Sequence, residues 1–241
     1  MKTARILTVA AVAAAALCAA AAPGGRQKKG AKAPAAEEPQ QEPIGVKVSQ
    51  FPKTGRAATF KAPEINGGTS IGKCWTKPRS WIVLEAKYET TAKWTDRLIF
   101  TWHVLLETKT ATEKSRGDRE KLPPYSYLSQ SVTYVNIPQG THAASVCLPP
   151  SYLERYGEPR AVGLVIANSN GEILYGDVES QIKGIPSHPK KIEDAFWEDK
   201  KVMEMKDKND EPLIERRQGL TDRSKTIWAL VNPNDYETVG E

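Results

Sequence analysis

Between residues 44 and 182 the apolar residues fall into short runs separated by turn-forming residues, and this pattern constrains the fold more than any other feature of the sequence. The clearest runs are WIVLEAKY (81–88) and RLIFTWHVLL (97–106), which are rich in β-branched and aromatic residues. Strict alternation of apolar and polar residues in 44–49 predicts a strand with one buried face. Seven or eight short strands without a long helix predict a mostly β chain, built as a β-sandwich of about 140 residues. A small α+β domain is the alternative.

Three turns are predicted between these strands. A turn at 90–93 would pair the two apolar runs as a hairpin, and NIPQGTH (136–142) would separate two later strands. The strongest hairpin signal is Asn170-Gly171, because an Asn-Gly pair between two strand-like runs favours a tight turn. After Pro149-Pro150 a short helical turn is expected, since proline is tolerated at the first position of a helix.

The first residues have the pattern of a secretory signal peptide. Lys2 and Arg5 precede an uncharged, alanine-rich run at 6–22, and small residues follow. We therefore expect cleavage near 20–22 and an exported protein that is periplasmic, outer-membrane associated or extracellular. An uncleaved leader anchoring the chain in the membrane is one alternative, and a lipid on Cys18 is another.

The rest of the chain divides by composition into three parts. Residues 23–43 contain no large apolar side chain and are predicted to be a disordered tether. Residues 44–186 form the predicted sandwich, and 187–241 a small α/β extension packed against it, because it is too short for its own core. The first half of 192–205 has the apolar spacing of a short amphipathic helix, and 213–214 and 226–231 are predicted to be strands or packing segments.

Two cysteines remain after the predicted cleavage, Cys74 and Cys147. In an exported protein two cysteines most often pair, so a disulfide between them is predicted. Two buried free thiols are the alternative. A cysteine-ligated metal site is not expected, because neither residue has a second Cys or a His at ligand spacing.

The charges and motifs point away from nucleic acids, cofactors and catalysis. The 34 basic and 29 acidic residues are interspersed, which is typical of a solvated surface. None of the common catalytic or phosphate-binding motifs occurs, and His103, His142 and His188 are too scattered to indicate a metal site. We therefore predict no catalytic residue, no metal and no cofactor, with a hydrolase of unrecognised site as the alternative.

Six tryptophans are many for this length. Three lie in apolar runs and are predicted to be in the core: Trp81, Trp102 and Trp228. The other three lie near turns or charges and are the candidate binding residues: Trp75, Trp94 and Trp197. Exposed tryptophans stack on sugars or dock a partner protein.

Residues 80–182 resemble an immunoglobulin-like sandwich. The two apolar runs, TYVNIP, ASVCLP and the Asn170-Gly171 hairpin would correspond to its B, C, E, F and G strands. The cysteine pattern differs, because Cys74 precedes the B strand and Ser145 stands where immunoglobulin domains place a tyrosine.

The whole chain also resembles small exported proteins of Verrucomicrobia encoded beside type IV pilus-like genes, through its alanine-rich leader, its tether and the ending KTIWALVNPNDYE. This resemblance implies a bacterial surface protein that acts in adhesion or pilus assembly, without being the pilin itself. The predicted function is thus a secreted or surface-tethered, non-catalytic protein that makes protein–protein contacts at the cell envelope, including contacts with pilus-like components. A carbohydrate-binding module that recognises host glycans is the alternative.

Overall fold

A computed structural model describes residues 45–54, 58–61, 79–108, 122–226, 229 and 237–239. Nine strands among these residues form one sheet, with the central order β6-β5-β3-β4-β7. The strands are β1 (Val46–Gln50), β2 (Ala58–Lys61), β3 (Ser80–Glu107), β4 (Tyr125–Leu148), β5 (Glu158–Asn168), β6 (Ile173–Ser180), β7 (Ile214–Arg217), β8 (Thr221–Asp222) and β9 (Glu237–Val239). β1 and β2 also pair with β3, while β8 and β9 also pair with β4. The predicted mostly β class is confirmed.

β3 and β4 form a long antiparallel ribbon in the centre of the sheet. The hairpin predicted at 90–93 is wrong, because the runs 81–88 and 97–106 belong to one strand. The stretch TTAK contains no Gly or Pro, and its two β-branched threonines favour extended backbone. The chain therefore continues where a reversal was predicted.

NIPQGTH (136–142) also lies within one strand, so the turn predicted there is wrong. Its backbone is irregular, with Asn136 at φ 55° and Gly140 at φ 141°. Pro138 nevertheless stays opposite Trp94 in the ladder. These residues bend the strand without ending its pairing. The B and C strands of the immunoglobulin comparison are thus one strand, and so are its E and F strands.

A register shift accompanies a bend in the ribbon. Three residues of β3 separate Thr90 from Trp94, whereas Gln139 alone faces them on β4. A straight strand of about twelve residues would rise about 40 Å, yet the rings of Tyr88 and Phe100 have centroids 4.9 Å apart. The two halves of the ribbon therefore pack face to face, as the layers of a sandwich do.

The inner faces of the two halves form the main core. Burial of each large apolar side chain there stabilises the fold by about 1.5–3 kcal/mol. Its fully buried members include Leu84, Ala86 and Tyr88 from one half of β3, and Leu98, Phe100, Trp102, Val104 and Leu106 from the other.

Residues 182–203, which we call the strap, pack on the outer face of the sheet. Phe196 and Trp197 are 2% and 8% exposed there, because they lie against side chains of β3, β4, β5 and β6. The helix predicted for the first half of 192–205 is only a 3₁₀ turn (Ile192–Asp194), followed later by α2 (Lys200–Met203).

Two local predictions are confirmed. β5 and β6 form a hairpin across Asn170-Gly171, and Gly171 has φ 81°, a conformation that glycine adopts without strain. A short helix, α1 (Pro150–Tyr156), begins with proline in its first turn.

Several predictions lie outside the described residues. The leader (1–22), the tether (23–43), Cys74, Trp75 and Trp228 are among them. Within the described part of the chain, no helix is both long and apolar enough to span a membrane.

Candidate functional site

A groove of about 760 Å³ lies where the second half of the ribbon ends. Its described walls come from the end of β3, the starts of β4 and β5, and the segment 207–215 that leads into β7. The lining residues are Glu107, Thr108, Leu122, Pro123, Pro124, Tyr125, Glu158, Arg160, Asp207, Glu211, Pro212, Leu213 and Glu215. Five of these side chains are carboxylates and Arg160 is the single basic one, so the groove is acidic, and prolines and leucines supply its apolar part.

Backbone hydrogen bonds hold the walls of the groove together. The Tyr125 amide donates to the Leu213 carbonyl (3.0 Å), and the Leu213 amide donates to the Met205 carbonyl (2.8 Å). On the opposite wall the Thr108 amide donates to the Pro124 carbonyl (2.8 Å). Prolines in the lining add rigidity, since their φ is fixed. These bonds fix the backbone of the described walls relative to one another.

The polar groups of the groove are arranged around Tyr125. Arg160 Nε donates to Glu107 Oε2 at 2.8 Å, and both side chains are partly exposed, so the ion pair contributes little to stability. Burial, followed by the nearby Glu107 charge, raises the pKa of the Tyr125 phenol, while Arg160 lowers it. The phenol therefore remains a hydrogen-bond donor at neutral pH.

The three candidate tryptophans lie in different environments. Trp94 is 60% exposed at the bend of the ribbon, as the binding hypothesis requires. Trp197 is buried, which corrects the expectation that it is exposed: its ring stacks on His103 with centroids 4.0 Å apart. Trp75 lies outside the described residues.

His103 and Tyr127 form a buried hydrogen-bonded pair beneath the strap. The distance from His103 Nδ1 to Tyr127 Oη is 2.7 Å, and Trp197 covers the imidazole. Burial lowers the pKa of His103 to about 3, so the ring is neutral at physiological pH. Burial likewise raises the pKa of Tyr127. Because Trp197 covers this pair, the geometry is that of packing rather than of an open catalytic site.

A second cluster lies at the outer edge of β6. Tyr175 Oη donates to Asp177 Oδ2 (3.2 Å), and His188 Nδ1 lies 2.9 Å from the same oxygen. The His188 amide donates to the Val178 carbonyl, and Ser187 Oγ bonds the amide of Ser180. These contacts occupy part of the backbone edge of β6, which limits pairing with another strand there.

Cys147 is buried, and it forms no disulfide with a residue that the structure describes. Burial raises the pKa of its thiol to about 11; a hydrogen bond with Thr226 and the charge of Arg223 oppose this rise, and the charge of Asp222 adds the smallest contribution to it. The reactive thiolate is therefore scarce at neutral pH. Since Cys74 is outside the described residues, the disulfide stays a prediction.

Among the described residues no group of three or more His, Cys, Asp or Glu side chains is placed to hold a metal ion. The groove could not be predicted from the sequence, because its walls come from four stretches that are far apart along the chain. The exposure of Trp94, by contrast, could be predicted from its position among polar residues.

Comparison with known proteins gives a family and a fold. One protein-family model matches residues 45–219, well over half of the chain. A crystal structure of a protein from Akkermansia muciniphila matches with a TM-score of 0.57 and 18% sequence identity, covering 82% of this chain and 94% of that one. Akkermansia belongs to the Verrucomicrobia. No curated protein matches the sequence.

Proposed function

We propose that this chain, which belongs to the protein family whose model matches residues 45–219, is an exported, non-catalytic protein that contacts other proteins of the bacterial cell envelope. The observation that carries this proposal is the acidic groove at the end of the β3–β4 ribbon. Prolines and leucines supply apolar contact area, Tyr125 supplies a hydrogen-bond donor, and five carboxylates supply acceptors. An extended segment of a partner protein with basic and apolar side chains fits such a lining, because its cations would pair with the carboxylates and its apolar side chains would contact the prolines and leucines.

The environments of the titratable groups support a binding role over an enzymatic one. Catalytic groups usually have shifted pKa values and lie open to a cleft. Three of the shifted groups, His103, Tyr127 and Cys147, are buried in packing contacts. A fourth, Tyr175, is half-buried at the edge of β6, where burial and the Asp177 carboxylate raise the pKa of its phenol. Tyr125 does face the groove, but its raised pKa opposes formation of a nucleophilic phenolate.

Export and a place in a pilus-like assembly are part of the same proposal. Export is supported by the basic, alanine-rich start of the sequence, and the pilus-like assembly by the resemblance of the leader, the tether and the ending KTIWALVNPNDYE to exported proteins of Verrucomicrobia. Partner proteins of the envelope, including pilus-like components, are the expected ligands.

A variant in the groove tests this function. Pro212 is exposed on the wall, so Pro212→Arg places a long charged side chain in the groove without disturbing the core. We expect a partner purified with the intact protein from its native envelope to bind Pro212→Arg at least about tenfold more weakly, since hot-spot changes cost about 1.4 kcal/mol or more. The measurement is the dissociation constant of the identified partner.

The matched control is Ser169→Arg, which adds the same side chain at the exposed β5–β6 turn. Its affinity should equal that of the unmodified protein. Equal affinities for all three proteins would exclude the groove as the binding site. Turnover of a substrate in a broad hydrolase screen would exclude the non-catalytic role.

A further inference from the structure

The bend of the ribbon carries an exposed aromatic surface that the groove does not include. We call it the corner and define it as residues 94–96 of β3 and 136–138 of β4. Trp94 is 60% exposed, more than the other exposed large hydrophobic side chains Phe60, Ile173 and Met205. An exposed tryptophan at a fixed position is a strong candidate for ligand contact.

Exposed polar residues lie close to this ring along the two strands. Trp94 and Asp96 are both exposed, on either side of Thr95, which is 1% exposed. The ladder pairs Thr95 with Ile137 and Arg97 with Val135, so Asp96 and the exposed Asn136 lie between these two pairs.

The polar groups of the corner are available for a ligand. Neither the Asp96 carboxylate nor the Asn136 amide makes a hydrogen bond to any residue that the structure describes. Both residues are exposed. Asn136 also has φ 55°, a left-handed conformation uncommon outside glycine, and such positions cluster at functional sites.

Side chains behind the corner hold it in one conformation. Thr90 Oγ1 donates to the Pro138 carbonyl at 2.8 Å, and His142 Nε2 lies 2.8 Å from the same oxygen. Pro138 is the residue directly opposite Trp94. A ligand would therefore meet a surface that needs little ordering on binding.

We propose that the corner is a carbohydrate-binding site, separate from the groove and additional to the protein contacts proposed above. A pyranose ring has an apolar face of C–H groups and a rim of hydroxyls. Trp94 offers a flat ring for the apolar face, and Asp96 and Asn136 offer planar groups that hydrogen-bond hydroxyls. A protein anchor is less well matched, because protein interfaces are centred on a cluster of apolar side chains, whereas Trp94 has the exposed, charged Lys93, Asp96 and Arg97 beside it in the sequence.

Saturation-transfer NMR and calorimetry on the intact protein test this site, with cellohexaose, chitohexaose, mannohexaose and an N-acetyllactosamine hexamer as probes. We expect at least one probe to bind, with Trp94→Ala weakening it at least about tenfold, and Trp94→Tyr retaining part of the affinity because a smaller ring still stacks. Asp96→Ala should weaken binding about fivefold or more by removing a hydrogen-bond partner.

The matched control is Ile173→Ala, which truncates a side chain that is 51% exposed elsewhere on the sheet, and it should bind like the unmodified protein. Thermal melting curves show whether each variant folds. If Trp94→Ala does not fold, the affinity of Asp96→Ala for the probe tests whether the corner is the binding site. Absence of binding to all four probes at millimolar concentration would overturn the proposal. So would binding that survives both Trp94→Ala and Asp96→Ala, or a corner that contacts only a protein partner.

Discussion

Gly163→Ala is expected to destabilise the protein by about 2–4 kcal/mol, although it adds a single methyl group. A Cβ atom at this position would lie 2.0 Å from Cζ3 of Trp197, and the same ring stacks on His103, the residue paired with Gly163 in the neighbouring strand. The indole has to leave its place, and the burial of Trp197 on the sheet is then lost. The free energy of unfolding, from denaturant titration, measures the effect.

A double-mutant cycle separates this contact from other effects of the alanine. In a Trp197→Ala background the methyl group has space, so Gly163→Ala should cost less than about 1 kcal/mol, giving a coupling of about 1 kcal/mol or more. Gly176→Ala is the matched control, because its Cβ would meet Cδ1 of Ile192 at 2.4 Å, the end of a flexible side chain that is able to move. Additive effects of Gly163→Ala and Trp197→Ala would show that the strap does not pack as described.

The second large effect is a loss of stability in acid that depends on His103. Burial lowers the pKa of this imidazole to about 3 in the folded protein, against about 6.5 in the unfolded chain. Between these values the unfolded chain binds a proton and the folded protein does not, so folding weakens as the pH falls from about 6.5 to about 3. The contribution reaches about 5 kcal/mol at most.

Replacement of the imidazole isolates this contribution from the carboxylates, which titrate in the same range. His103→Gln keeps a group able to hydrogen-bond Tyr127 but does not titrate. The free energy of unfolding measured from pH 7 to pH 3.5 should therefore fall less steeply for His103→Gln than for the unmodified protein. Trp197→Ala, which uncovers the imidazole, should also flatten the curve. If the free energy of unfolding fell equally steeply with pH in all three proteins, His103 would not be the source of the acid sensitivity.

The strand content could be predicted from the sequence because the signals are local. Asn170-Gly171 determines a turn through the conformational preferences of two residues, and the β5–β6 hairpin follows. The run 97–106 contains enough β-branched and aromatic residues to be a buried strand in most contexts. Turns and strands of this kind are determined by residues that are adjacent in the sequence, so the sequence alone predicts them.

The long-range geometry could not be predicted, because it depends on contacts between residues that are far apart in the sequence. Whether 90–93 reverses or continues depends on pairing with β4, more than forty residues away, and both outcomes satisfy the local pattern. Nothing in the sequence around Gly163 indicates its role, because this role is to leave space for the side chain of Trp197. The buried state of Trp197 and the walls of the groove likewise depend on how the strap and the segment 207–215 meet the sheet.

The most direct test of the proposed function is site-specific photo-crosslinking in cells that produce the intact protein. A benzophenone side chain at Pro212 of the groove and one at Ser169 of the β5–β6 turn are compared, with cross-linked proteins identified by mass spectrometry. The account predicts a defined envelope protein joined at Pro212 through one extended segment, and not at Ser169. Equal capture of that protein at both positions, or a partner joined only at Ser169, would contradict it.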